Sequence, residues 1–181
     1  MRILSTIRDT ALPLLASCFL SGHAFGISMS GNMELAKTGA RLSTINLDDP
    51  NFDSAIGVGG FAEMPLDSRI KVGVALDYWK TDLRYVSGLQ LRDIALAGFG
   101  KYYIQGYQEH LAPYAMAGLG LHFLSSSVDS VDDSDQKMSL DMGAGVEAKM
   151  TEYISLNGEI KFRNLDDYGY TDFAIGAVAK F

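Results

Sequence analysis

Residues 140–163 alternate in character with a period of two. Leu140, Met142, Ala144, Val146, Ala148 and Met150 are apolar, while Asp141, Gly143, Gly145, Glu147 and Lys149 between them are charged or glycine. The pattern resumes after a short break, with Ile154, Leu156, Gly158, Ile160 and Phe162 opposite Ser155, Asn157, Glu159, Lys161 and Arg163. Successive side chains of a strand point to opposite faces, so each segment is a β-strand with one apolar and one polar face. Two more segments share the pattern. Ile70, Val72, Val74, Leu76 and Tyr78 oppose Lys71, Gly73, Ala75 and Asp77, and Phe173, Ile175, Ala177, Ala179 and Phe181 oppose Asp172, Ala174, Gly176, Val178 and Lys180.

Each run is about ten residues, the length of a tilted strand that crosses a bilayer. Weaker alternation at 27–36, 54–63, 91–104 and 111–124 brings the expected number of strands to eight. Gly57, Gly59 and Gly60 obscure the parity of 54–63 and suggest a bulge there. Expected connections near 64–69, 105–110 and 151–153 are short, whereas those near 37–53, 80–90, 125–138 and 164–170 are longer and polar. Such sorting suits a barrel with short periplasmic turns and long outer loops. Aromatic residues form two bands, Tyr102, Tyr103, Tyr114, Tyr153 and Phe181 at the periplasmic ends and Tyr78, Trp79, Phe123, Phe162 and Phe173 at the outer ends. The expected fold is therefore all-β, an eight-stranded antiparallel up-and-down transmembrane β-barrel. A soluble lipocalin-like barrel, with its apolar faces turned inward onto a ligand, is the alternative. The net charge of −7 argues against a nucleic-acid partner, which calls for a basic face.

Residues 1–24 read as a signal peptide. Arg2 and Arg8 precede the apolar stretch from Thr10 to Leu20, and Gly22 and Ala24 are the small residues of a cleavage site after Ala24. Residues 25–181 then form the barrel domain. Leu15-Ala-Ser-Cys18 also fits a lipoprotein box, which would make Cys18 a lipidated N-terminus.

The stretch Leu111-Ala-Pro-Tyr-Ala-Met-Ala-Gly-Leu-Gly120 and the final strand Ala-Ile-Gly-Ala-Val-Ala-Lys-Phe181 resemble those of small eight-stranded bacterial outer-membrane β-barrel proteins of the OmpA/OmpX-like type. The resemblance covers nearly all of residues 26–181 and implies a Gram-negative outer membrane, with surrounding lipid and lipopolysaccharide. It also implies a monomer whose terminal Phe181 is read by the barrel-assembly machinery. Members of the type are structural anchors, adhesins and recognition proteins, so a structural or surface-interaction role is expected. The loops are then free to contact an extracellular partner.

The inward face would carry Glu34, Lys71, Asp77, Lys101, Asp141, Glu147, Lys149, Glu159, Lys161, Arg163 and Lys180. Eight strands enclose a space that side chains fill, so charges of both signs should pair and seal the lumen. A narrow porin-like passive channel lined by the same groups is one alternative. A lipid A-modifying enzyme is another, suggested by His122 and Ser125, yet these two residues would point to opposite faces of a continuous strand. No catalytic, cofactor-binding or metal residue is assigned and no cofactor is expected; His122 reads as an interior hydrogen-bonding group, so replacing it should leave lipid A unchanged. Asp129, Asp132, Asp133 and Asp135 lack the Gly-centred spacing of a Ca²⁺ loop and read as an acidic surface.

Overall fold

The computed structural model describes residues 37–49, 51–82, 90–104, 110–128, 131–165 and 169–180. The strands are β1 (Lys37–Leu47), β2 (Ala55–Pro65), β3 (Ile70–Asp82), β4 (Gln90–Tyr103), β5 (Leu111–Val128), β6 (Val131–Lys149), β7 (Ile154–Leu165) and β8 (Gly169–Lys180). Each pairs antiparallel with its neighbour in sequence, and β1 pairs with β8 to close the barrel. Closure leaves the barrel wall without a free edge, so its backbone polar groups are met within the sheet.

The parity read from the sequence holds in all four strongly alternating segments. On β7 the inward Ser155, Asn157, Glu159, Lys161 and Arg163 are all buried, while Ile154, Leu156 and Phe162 are exposed on the outside. A band of outward apolar residues, among them Val74, Leu96, Leu119, Met142 and Ile175, encircles the barrel. Such a face is at home in hydrocarbon and would be a large exposed apolar patch in water.

The first strand is a correction. The segment expected to be a long loop at 37–53 supplies β1, and the expected strand at 27–36 lies outside the described residues. The outward positions of β1 are Thr38, Ala40, Leu42, Thr44 and Asn46, of which only Leu42 is large and apolar, so the alternation is faint. The supposed loop at 125–138 is likewise strand: β5 and β6 continue as a paired hairpin to Val128 and Val131. Among the described residues β6 pairs with β7 from Ser139 onward, so residues 131–138 have no partner on that side. The bulge suggested for 54–63 is absent, since β2 pairs in unbroken register with both β1 and β3.

At the opposite end two turns are built alike. In 66–69, Asp67 Oδ1 accepts hydrogen bonds from the backbone N–H of Arg69 and Ile70 at 2.6 and 2.7 Å. In 150–153, Thr151 Oγ1 accepts from Tyr153 and Ile154 at 3.2 and 3.0 Å. Asp and Thr side chains stand in for a turn's missing backbone acceptor, which keeps these reversals short. The leader 1–24 with its cut after Ala24, Cys18, Glu34 and Phe181 lie outside the described residues.

Candidate functional site: the charged lumen

The polar faces of all eight strands converge on the barrel axis, where their side chains lie in layers. At the end holding the two short turns, Glu147 of β6 receives Lys37 at 2.6 Å, Lys71 at 3.3 Å and the hydroxyl of Tyr103 at 2.8 Å. Glu63 of β2 bonds Lys101 at 2.9 Å. Lys101 is buried, and its ammonium lies 4.8 Å from the ring centres of Phe61 and Tyr114 and 5.2 Å from that of Phe99. Aromatic faces attract a desolvated cation, so the cage and Glu63 share the work of holding this charge.

Midway along the barrel, Arg41 of β1 forks between two carboxylates. Its Nε and Nη2 bond Asp77 at 2.9 and 2.7 Å, and its Nη1 bonds Glu159 at 2.7 Å. Arg163 also donates to Asp77 and lies 3.3 Å from Asp141, while Lys161 is 2.9 Å from Asp172. The hydroxyl of Tyr114 donates to Glu159 at 2.9 Å. The planar guanidinium presents several donors in fixed directions, which suits arginine to bridging carboxylates on different strands. Glycine makes the space: a Cβ at Gly59 would collide with Asp77 Oδ1 and lie 3.2 Å from Arg41 Nε.

Further out, His122 is fully buried between Asp93 and Ser139. Its Nδ1 is 2.7 Å from Asp93 Oδ2, its Nε2 is 2.9 Å from Ser139 Oγ, and Ser139 donates its hydroxyl to Asp141 at 2.6 Å. Beyond this chain Ile45, Ala55, Trp79, Leu124, Leu165 and Tyr170 form an apolar cap. A cleft of about 170 Å³ lined by Leu91, Leu124, Ser126 and Asp135 opens at the outer mouth.

Of the inward residues expected from sequence, Lys71, Asp77, Lys101, Asp141, Glu147, Glu159, Lys161 and Arg163 meet in these clusters. Lys149 and Lys180 have the right parity but sit exposed at strand ends. Sequence reading missed Arg41, Glu63, Asp93 and Ser139, and it placed Asp172 on the polar face of its strand without counting it among the inward charges. Asp93 and Asp172 had a legible signal, since both share the parity of buried residues on their own strands. Three aromatics assigned to the interface bands, Trp79, Tyr103 and Tyr114, instead point into the lumen, whereas Tyr102, Tyr153, Phe123, Phe162 and Phe173 face outward. His122 is an interior hydrogen-bonding group, as expected from sequence, and its serine is Ser139 of β6, not Ser125.

A closed barrel with a lipid-facing apolar belt and a charged interior defines an integral protein of the bacterial outer membrane. The sequence matches the model of the outer membrane protein beta-barrel domain over residues 11–181, and the chain belongs to that family. Similar solved structures include Neisserial surface protein A, NspA (14% identity, TM-score 0.62, covering 81% of this chain and 96% of that one). Ail, the attachment invasion locus protein of Yersinia pestis, is 16% identical with a TM-score of 0.57, covering 82% and 97%. OprG, an outer membrane protein of Pseudomonas aeruginosa, is 14% identical with a TM-score of 0.53, covering 83% and 98%. At these identities the likeness is one of fold. No curated protein matches the sequence.

Proposed function

We propose that the protein is a sealed outer-membrane anchor that presents its outer end to an extracellular partner. Residues 1–24 are its removed leader, it acts as a monomer, and the barrel-assembly machinery reads Phe181. The observation that carries the sealed reading is Arg41, which ties Asp77 of β3 and Glu159 of β7 across the lumen. Charges paired this closely are costly to separate, and they leave no ready path for a hydrated ion. The apolar cap around Trp79 and Tyr170 supports the same reading.

The outer stretch of β6, residues 131–138, which pairs with β5 but not with β7, supports a role in surface interaction. Ail has been crystallised with the heparin analogue sucrose octasulfate, so a barrel of this fold engages a sulfated ligand. The outer end here has the opposite character. Asp48, Asp49, Asp53, Asp82 and Asp135 lie in its connections and strand ends, and Asp129, Asp132, Asp133, Asp166 and Asp167 add acidic residues in sequence. The fitting partner is therefore a basic protein surface rather than a sulfated glycan.

An enzymatic role has little support, although Asp93, His122 and Ser139 stand in the order of a hydrolytic triad. All three are buried inside the barrel, away from the lipid face, and the Ser139 hydroxyl is committed to Asp141. A nucleophile needs its proton taken by the base and room for a substrate carbonyl.

Two measurements test the reading. The purified chain in planar bilayers should give no discrete conductance, and steady ionic currents would replace the sealed anchor by a passive channel. Cells displaying the protein should bind polylysine-coated beads in a salt-sensitive manner and ignore heparin-coated beads. The reverse preference would overturn the basic partner.

A further inference from the structure

The outward face of the barrel carries one feature that the lumen does not explain. On β3 the lipid-facing series Val72, Val74, Leu76 and Tyr78 ends at Lys80, and on β4 the series Leu96 and Ile94 ends at Arg92. Lys80 and Arg92 are direct cross-strand partners, so two cations face each other at the first polar step above the apolar belt. Like charges placed opposite one another destabilise a sheet. Their row continues to Ile56 on one side and Ser125 on the other, neither of which can neutralise them.

Among the described residues neither cation has a carboxylate within ion-pair distance. Among these residues Arg92 bonds only the Gln90 side chain, at 3.1 Å, and its buried Nε meets none of them. Asp82 lies on the same face one pair further from the belt, opposite Gln90. Outward positions at the outer ends of other strands carry no cation, as at Thr44, Gln136, Asn164 and Thr171. The cations are therefore gathered at one point on the rim rather than spread around it.

We propose that Lys80 and Arg92 form a binding site for a phosphate group of the lipid A moiety of outer-leaflet lipopolysaccharide. Neighbouring strands lie about 4.8 Å apart, so both side chains can reach one phosphate. Arginine grips phosphate oxygens through paired N–H groups and lysine adds a point charge. Tyr78, Ile94 and Phe123, one step below, are placed to meet the acyl chains of the same molecule. The site rests on the outer-membrane location and the outward parity of β3 and β4, and is independent of what the loops bind.

The test uses the purified, folded full chain in detergent micelles, titrated with bisphosphorylated lipid A and followed by native mass spectrometry. The wild type should retain lipid A, and retain the dephosphorylated form distinctly less well. Each cation removed should weaken retention about fivefold, as for a basic side chain at an anionic membrane surface. K80Q/R92Q should therefore lose most of it, while K80R should keep it. Equal retention of the two lipid A forms by the wild type overturns the site, as does undiminished retention by K80Q/R92Q. Heat-modified mobility on a gel verifies that the variants fold, and the wild-type comparison stands without them.

Discussion

His122 Nδ1 lies 2.7 Å from Asp93 Oδ2, and both side chains are fully buried inside the barrel. The contact joins β4 to β5 within the lumen, and Ser139 extends it to Asp141 on β6. Removing one partner of a buried pair leaves the other desolvated and unmet. His122→Ala should therefore lower unfolding stability by about 3 kcal/mol, measured by urea titration in micelles. Asp93→Asn/His122→Ala should cost less than the sum of the two single changes, because the second removes a group already orphaned by the first. Strict additivity would show that the pair is not energetically coupled.

Arg41 poses the same question at the centre of the lattice, with a functional readout added. Arg41→Met keeps an unbranched stem but removes the guanidinium, which leaves Asp77 and Glu159 without their shared donor. Stability should fall by about 3–5 kcal/mol, because two buried carboxylates lose a countercharge together. The weakened plug should also admit ions, so the variant should show conductance in planar bilayers where the wild type shows none. A silent R41M barrel would mean that the apolar cap, rather than the ion pairs, does the sealing.

How much of this was legible follows from what alternation can and cannot encode. On β7 both faces speak, with Ile154, Leu156 and Phe162 opposite Glu159, Lys161 and Arg163, and the strand reads directly. On β1 the lipid face offers Thr38, Ala40 and Thr44, so Arg41 was hidden in an apparent loop. Parity assigns a residue to a face, but register decides whom it meets. His122 meets Ser139 because Val128 of β5 pairs with Val131 of β6, a register that places Lys137 opposite His122 and Ser139 one inward position away. Ser125 is nearer in sequence yet faces outward, and the alternation itself says so. Pairing between distant strands, as between Arg41 and Glu159, requires a closed barrel and could not be read from any local pattern.

Gly59 provides a steric test of the same lattice. A methyl group there runs into the Asp77 carboxylate and crowds Arg41, both held by short bonds that resist movement. Gly59→Ala should cost about 1–3 kcal/mol, the usual consequence of overfilling a packed interior. Gly98 on β4 faces outward with nothing within 4 Å of an added Cβ. Gly98→Ala should change stability by less than about 0.5 kcal/mol. Equal effects at the two positions would mean that the glycines serve backbone conformation rather than clearance.

Asp67 lies in a turn outside the membrane belt and supplies a pH-dependent term. The backbone N–H groups of Arg69 and then Ile70 hydrogen-bond its carboxylate and hold its pKa below the usual aspartate range. A group whose pKa is lowered by folding adds stability that is fully present above its unfolded pKa. That stability is lost as the pH falls through the lower, folded value. Asp67→Ala should therefore be less stable than the wild type at neutral pH, and the difference should shrink as both are moved into acid below the ordinary aspartate range. Urea midpoints for the two proteins, compared between neutral and strongly acidic buffer, provide the check. A gap that stayed constant across that interval would show that the turn depends on the shape of the side chain and not on its charge.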